Sequence, residues 1–143
     1  MQNPLHSDVF DLVTLTIANA THPTYPILTC PANARIQLIS ATFAHTTTAV
    51  PHYVFIKAED PSNYTFGLTI STVDQGVVDT WNYHFVSGVP NIIDLSAQNL
   101  VIVPLSSSLI INPGEEIQIN SLGFVATETF TNIRLRCKQW ILP

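Results

Sequence analysis

Residues branched at Cβ dominate this chain and limit what it can fold into. Isoleucine, valine and threonine supply 15, 12 and 16 of its 143 residues. Such side chains lose rotamer freedom in a helix, whereas they pack well on the pleated surface of a sheet. No window of about 11 residues shows the spacing of an amphipathic helix. The chain is therefore predicted to be an all-β protein.

The clearest strand pattern is at the C-terminal end, where side chains alternate with a period of two. The apolar set is Ile133, Leu135, Cys137 and Ile141, broken only by Gln139. The other set is Arg134, Arg136, Lys138 and Trp140. Since successive side chains of a strand point to opposite faces, the first set is predicted to face the core and the second to face outward.

Two further segments alternate in the same way. In one of them, small and polar residues alternate with the apolar residues Tyr64, Phe66, Leu68 and Ile70. In the other, Val9, Val13, Leu15 and Ile17 share one face with Asp11, while Phe10 and Leu12 occupy the opposite face. The first pattern predicts an inward apolar face, and the second indicates a strand that is covered on both sides.

Turn signals separate these strands from the remaining candidates. Further strands are predicted within 35–45, 52–58, 77–86, 100–103 with 108–111, and 116–122. The turns contain Pro51, Pro61, Gly76, Gly88 and Pro113-Gly114. About eight strands with regular turns predict an antiparallel β-sandwich, and more specifically a jelly roll. Residues 1–7 are predicted to form an N-terminal arm, and residues 8–143 a single sandwich domain.

Length and charge exclude several classes of partner. A chain of 143 residues can bury a single core. Its net charge is −5, whereas proteins that bind nucleic acid by charge need clustered lysine and arginine. No run approaches the roughly 18 apolar residues of a membrane span, and the first ten residues show no export signal. We therefore expect neither nucleic acid nor a membrane as a partner.

The histidines and cysteines leave alternatives open. The histidines are His6, His22, His45, His52 and His84. His45 and His52 flank a predicted hairpin loop, so they could bind a metal with His84, but ordinary strand histidines are the preferred interpretation. Cys30 and Cys137 fit no metal-binding spacing, and they are interpreted as buried free thiols, with a disulfide as the alternative. No metal or other cofactor is predicted.

Catalytic motifs are missing from the sequence. The adjacent carboxylates Glu59-Asp60 and Glu115-Glu116 sit beside turns and would point to opposite faces of a strand, so they are interpreted as solvated turn charges. Serines 106–108 lack a nucleophile elbow, and no phosphate loop or dinucleotide fingerprint is present. The protein is therefore predicted not to be an enzyme.

The expected surface is poor in charge and rich in threonine, serine, asparagine and glutamine. Edge strands of free monomers are usually guarded by lysine, but this chain contains only two lysines, Lys57 and Lys138. This composition indicates a homo-oligomer. Three of the five basic residues share one face of the last strand, so Arg134, Arg136 and Lys138, extended by Trp140, are predicted to dock onto an acidic partner. A solvated strand face is the alternative.

A family resemblance gives these features a context. The turn and strand Asn112-Pro113-Gly114-Glu115-Glu116-Ile117-Gln118-Ile119 and the final strand Asn132-Ile133-Arg134-Leu135-Arg136 occur in an almost lysine-free all-β chain. In this the chain resembles small virion proteins of tailed bacteriophages, and most nearly the capsid decoration, or cement, proteins. The resemblance implies a homotrimer that sits on the outer capsid surface, bridges subunits of the major capsid protein and is made in the host cytoplasm. It implies no catalytic residues.

A carbohydrate- or receptor-binding domain of a tail or fibre protein is the alternative function. Exposed aromatic rings on one face would favour it, with Trp81, Tyr83, Trp140, Tyr53 and Tyr25 as the candidates. Trp81, Tyr83 and Phe85 share a strand face, and they are interpreted as core residues.

Overall fold

The computed structural model describes residues 9–21, 23–47, 53–75, 79–106, 109–122 and 128–142. The predicted arm, residues 1–7, lies outside the described residues, as do His6, His22 and His52. The strands are β1 (Asp11–Ile17), β2 (Ala20–Thr21), β3 (Ile27–Thr29), β4 (Ala34–Thr47), β5 (Tyr53–Glu59), β6 (Thr65–Ile70), β7 (Asp79–Ser87), β8 (Ile93–Leu95), β9 (Leu100–Leu105), β10 (Ile110–Ile111), β11 (Glu116–Leu122) and β12 (Thr129–Ile141). Between β8 and β9 lies a 3₁₀ turn, Ser96–Gln98.

The strands form two sheets, which confirms the predicted all-β sandwich class. The large sheet has the order β1-β12-β4-β7-β9-β8, with β10 paired to β4 and β2 to β12. The small sheet has the order β3-β11-β5-β6. The jelly-roll connection stays a prediction. The structure describes twelve strands instead of the expected eight, because several of them are short segments of two or three residues.

One strand pair departs from the antiparallel expectation. β7 and β9 are parallel, with Tyr83 opposite Val101 and Phe85 opposite Val103. The chain leaves β7, forms β8 at the edge of the sheet, and then returns as β9 between β7 and β8. The chain reverses its direction at β8 and again at β9, so β9 runs in the same direction as β7.

The core lies between the inner faces of the two sheets. The small sheet contributes three fully buried isoleucines to it: Ile56 of β5, and Ile117 and Ile119 of β11. The large sheet contributes an aromatic cluster in which the Phe43 ring lies 5.6 Å from Tyr83, 5.8 Å from Phe85 and 5.9 Å from Phe130, centroid to centroid. Trp81, Tyr83 and Phe85 are all buried, so their interpretation as core residues is confirmed.

Two irregularities keep the inward faces of the long strands β4 and β12 apolar. In β12 the register shifts between Thr131 and Arg134, where Asn132 has a φ of 53°. A second shift lies between Arg136 and Cys137. Each extra residue reverses which alternate positions face inward. Phe130 and Ile133 are therefore both buried although their positions differ by three, which would put them on opposite faces of a regular strand.

The predicted inward set of β12 is confirmed at Ile133, Leu135 and Cys137, which are buried. It is wrong at Ile141, which is 59% exposed. Ile141 is the last residue of the strand, where the opposite sheet no longer covers the chain. The prediction that β1 is covered on both sides is also wrong, because Leu12 faces outward and is 54% exposed.

The prediction for β6 is wrong, because its apolar side chains face outward. Tyr64, Phe66 and Leu68 are exposed, while Gly67 faces the interior. A Cβ atom added to Gly67 would lie 2.7 Å from Cδ1 of Leu109. The interior therefore leaves room for no side chain at this position, and the large residues of β6 are placed on the outer surface.

Candidate functional site

The predicted docking row lies on the outer face of the large sheet. Arg134 and Arg136 are exposed, and Lys138 and Trp140 are half-buried. All four thus point away from the core, as the alternation predicted. Whether they bind a partner stays a prediction.

The three cations of this row differ in their contacts. Arg136 donates a hydrogen bond from Nη1 to Oγ1 of Thr14 at 3.0 Å. The ammonium of Lys138 lies 4.6 Å from the ring centroid of Phe10, and that ring packs edge-on against Trp140 at 5.6 Å. The side chain of Arg134, by contrast, has no hydrogen bond or ion pair among the residues that the structure describes. It is the cation of the row that is available to a ligand.

Arg134 also lines a polar pocket that the sequence reasoning missed. The pocket has a volume of about 270 Å³ and opens on the outer face of β4, β7 and β12. Its lining is Thr42, Phe43, Ala44, Asn82, His84, Asn132 and Arg134. Three separate strands supply these residues, so no local motif could have revealed the pocket.

An apolar face lies on the opposite side of the molecule, on the outer surface of the small sheet. Tyr64, Phe66 and Leu68 of the β6 segment and Leu122 of β11 are exposed there, at 68%, 43%, 54% and 48%. A groove of about 310 Å³ runs through this surface, lined by Phe55, Lys57, Thr65, Leu68, Ile70 and Leu122. We call this surface the β6 face.

The β6 face has little net charge. Lys57 pairs with Glu59 at 2.9 Å, so its ammonium is neutralised within the same strand. β6 itself contains no charged residue, and it is the edge strand of the small sheet among the described strands. The side of β6 that faces away from β5 therefore exposes backbone groups next to the apolar side chains of the same strand.

A buried polar network lies inside the sandwich near one end. His45 is fully buried; its Nδ1 lies 2.6 Å from Oε1 of Gln75, and its Nε2 lies 2.6 Å from Oε1 of Glu128. Ser121 donates its hydroxyl to the same Glu128 oxygen at 2.7 Å. Tyr83 donates its hydroxyl to Oε1 of Gln75 at 3.0 Å, and burial raises the pKa of Tyr83, so the phenol keeps this proton.

The geometry of this network sets the protonation of His45. The amide nitrogen of Gln75 donates to the backbone oxygens of His45 and Asp79, at 2.9 and 3.1 Å. This fixes Oε1 of Gln75 as the atom that faces the imidazole. Nδ1 of His45 therefore donates its proton to this oxygen, and Nε2 shares a second proton with Oε1 of Glu128. His45 and Glu128 thus form a buried, hydrogen-bonded acid–base pair.

This arrangement resembles a catalytic triad in composition but not in geometry. The hydroxyl of Ser121 donates to Glu128 rather than to the imidazole, and Ser121, His45 and Glu128 are all buried. A nucleophile needs its base on the hydroxyl proton and access to substrate. The network is accordingly arranged to hold the two sheets together: Glu128 leads into β12, His45 lies in β4 and Ser121 lies in β11.

Of the three histidines considered for metal binding, His52 lies outside the described residues, and the other two do not come together. His45 faces the core and is held by the network, whereas His84 lines the polar pocket on the outer face. Adjacent strands have placed them on opposite sides of the large sheet, so they cannot share a metal. In the described ranges, no group of three or more metal-ligating side chains comes together.

Two of the adjacent carboxylates accept hydrogen bonds from backbone N–H groups in turns. Oδ1 of Asp60 accepts hydrogen bonds from the backbone N–H groups of Ser62 and Tyr64, at 2.8 and 3.0 Å. Oε2 of Glu115 accepts one from the backbone N–H of Asn112 at 2.8 Å. Glu59 departs from the expectation of a solvated charge, because it is buried beside Lys57.

Both cysteines are free and buried, as the preferred interpretation stated. Burial raises the pKa of Cys137 to about 12, from an ordinary value of 9.0. Burial, followed by the charge of Glu115, also raises the pKa of Cys30. The reactive species of a cysteine is its thiolate, so both thiols are poorly nucleophilic in the folded protein.

We expect these thiols to be protected from alkylation until the protein unfolds. At pH 8, a thiol with a pKa of about 12 carries about a thousandfold less thiolate than one with a pKa of 9.0. Iodoacetamide labelling followed by mass spectrometry should show no adduct in native buffer and two adducts in urea. Rapid labelling of Cys137 in native buffer would contradict the burial described above.

Within the described residues, no helix has the length and hydropathy needed to cross a membrane. Comparisons of the chain with protein-family models, curated proteins and solved structures found no match. The function is therefore argued from the surfaces of the molecule.

Proposed function

We propose that this protein is a non-enzymatic structural protein of a bacteriophage virion, a capsid decoration protein that self-assembles through its β6 face. The observation that supports this most directly is the apolar outer surface of β6, an edge strand without charge. The phage context comes from the resemblance in sequence character described above, and with it the expectation of a trimer.

The β6 face is unfavourable to leave in water. Contiguous exposed apolar surface on a monomer marks an interaction site, and an unguarded edge strand invites pairing with another chain. A second copy of this chain is the occupant that best fits, because it offers the same uncharged, apolar surface in return. Lys57 and Glu59 already neutralise each other, so burying them together between copies leaves no net charge in the interface.

A carbohydrate is a poorer occupant for this face. Sugars need aromatic stacking combined with fixed polar partners for their hydroxyl groups. The aromatic rings of Tyr64 and Phe66 are exposed on this face, but the groove beside Leu68 has Lys57 and Thr65 as its polar members, and the Lys57 ammonium is already paired with Glu59. Of the aromatic residues singled out for sugar binding, Trp81 and Tyr83 are buried in the core, and Tyr25, Tyr53 and Trp140 are half-buried. The receptor-binding alternative therefore gains no support from these side chains.

Docking onto the capsid would use the other side of the molecule. The row Arg134, Arg136, Lys138 and Trp140 lies on the outer face of the large sheet, and the β6 face lies on the outer face of the small sheet. Outer faces of a sandwich point in opposite directions, so one copy can contact its neighbours and the major capsid protein at once. Several modest contacts per oligomer then add up to stable attachment.

The location of the protein tests this proposal. Antibodies against the chain should label the outer capsid surface of particles purified from cells that carry the gene in its genomic context. Light scattering of the isolated protein should give an oligomer, with three copies expected. Labelling confined to tail tips would support the receptor-binding alternative instead, and a chain found only outside particles would overturn the proposal.

Replacing Arg134, Arg136 and Lys138 together by alanine tests the docking row. The variant should stay folded, because the three side chains point outward and exposed polar contacts contribute little, at most about 1 kcal/mol each. Its occupancy on particles should fall, and the remaining binding should depend less on salt. The matched control is Arg35→Ala, which removes a cation that lies outside both the row and the β6 face. Wild-type occupancy and salt dependence of the triple variant would show that the row is merely solvated.

A further inference from the structure

The polar pocket around Arg134 has the chemistry of a carboxylate-binding site. Its lining residues include Arg134, Asn82, Asn132, Thr42 and His84, whose side chains carry a guanidinium, two amides, a hydroxyl and an imidazole. No aspartate or glutamate lines it in the described part of the chain. On a protein with a net charge of −5, this is a local concentration of hydrogen-bond donors with a positive charge.

The irregularity in β12 builds this pocket. Thr131 pairs with Ala44 and Arg134 with Thr42, so two residues of β12 lie opposite Phe43 alone. Asn132 adopts a left-handed backbone with a φ of 53°, and its N–H donates to Oδ1 of Asn19 at 3.1 Å. A bulge of this kind re-aims neighbouring side chains. Here it brings Asn132 and Arg134 to the same pocket as His84 of β7.

The contacts of the row single out Arg134 from its neighbours. Arg136 is held by Thr14 and Lys138 lies over Phe10, whereas Arg134 has no such contact among the described residues. A guanidinium presents a planar fork of N–H donors that matches the two oxygens of a carboxylate. The surrounding amides and hydroxyl can donate further hydrogen bonds to the same group.

We propose that this pocket binds the carboxylate of an aspartate or glutamate side chain that the partner protein inserts into it. The inference rests on the proposed function, since that partner is the protein onto which the large sheet docks. A volume of about 270 Å³ suits one side chain and falls below the usual range for larger ligands, about 300–1,000 Å³. A carboxylated sugar would find no exposed aromatic ring here, because Phe43 is buried.

Short peptides test the site without the particle. The ¹⁵N-labelled protein is titrated by NMR, in low-salt buffer, with N-acetylated, C-amidated Gly-Glu-Gly and with the matching Gly-Gln-Gly. N-acetylneuraminic acid serves as the carboxylated sugar. The glutamate peptide should shift the backbone resonances of Asn82, His84 and Asn132, and the glutamine peptide should not.

Two matched variants assign the effect to one cation. Arg134→Gln should weaken binding of the glutamate peptide about tenfold or more, the scale of a lost hydrogen bond to a charged group. Arg136→Gln removes a cation about 7 Å along the same face that does not line the pocket, so it should change the affinity by less than about threefold. Equal shifts with both peptides, an unchanged affinity in Arg134→Gln, or tighter binding of the sugar acid would each overturn this inference. None of these results bears on self-assembly or capsid location, which the particle experiments test separately.

Discussion

Replacing Glu128 by alanine is expected to lower the free energy of unfolding by about 3–5 kcal/mol, as found when one partner of a buried ion pair is removed. Glu128 lies 2.6 Å from Nε2 of His45 and accepts the Ser121 hydroxyl at 2.7 Å, with both members of the ion pair fully buried. Without Glu128, Nε2 of the fully buried His45 loses its hydrogen-bond partner. Ser121 loses its acceptor as well.

Urea denaturation with a test of two-state behaviour measures this effect. Ser121→Ala is the control, because it removes one hydrogen bond to Glu128 and leaves the ion pair; a loss of about 1–2 kcal/mol is expected. Glu128→Gln, which keeps the size and an acceptor but removes the charge, should fall between the two. If Glu128→Ala were no more destabilising than Ser121→Ala, then the His45–Glu128 contact would contribute little to stability, and the role assigned to the network above would be wrong.

Replacing Leu68 by glutamate is expected to abolish self-assembly while leaving the subunit folded. Leu68 lies at the centre of the β6 face and is 54% exposed in the single chain. Each copy would lose about 1.5–3 kcal/mol of apolar burial and would place a carboxylate in the interface. The subunit tolerates the change because Lys57 is the cross-strand partner of position 68, where an opposite charge is accommodated. The dissociation constant of the oligomer should rise at least about 100-fold.

Leu12→Glu is the matched control for this prediction. Leu12 is also a leucine with 54% exposure, but it lies on β1 of the large sheet, away from the β6 face. Light scattering should show oligomers for the wild type and Leu12→Glu and monomers for Leu68→Glu, with circular dichroism confirming the fold of each. An oligomer that persists in Leu68→Glu would mean that the copies associate through another surface.

The sequence by itself determined the secondary structure class and the orientation of the last strand. Alternation is a local property, because neighbouring side chains of any strand point to opposite faces. Ile133, Leu135 and Cys137 therefore lie on one face and Arg134 and Arg136 on the other, and the cost of burying the cations turned the first face inward. The abundance of residues branched at Cβ similarly favoured strands before any partner strand was known.

Only the tertiary structure decided which face of β6 is buried and which residues meet across the sheets. The pattern of β6 was as clear as that of β12, but close packing of Leu109 leaves room only for Gly67 on the inner side, and the apolar set faces outward. The Glu128 network and the Arg134 pocket likewise join residues from strands far apart in sequence, with His45 and Glu128 separated by 83 positions. Such contacts depend on strand order and on the bulges that set the register. Both follow from how the whole chain packs, because each local pattern fits more than one arrangement.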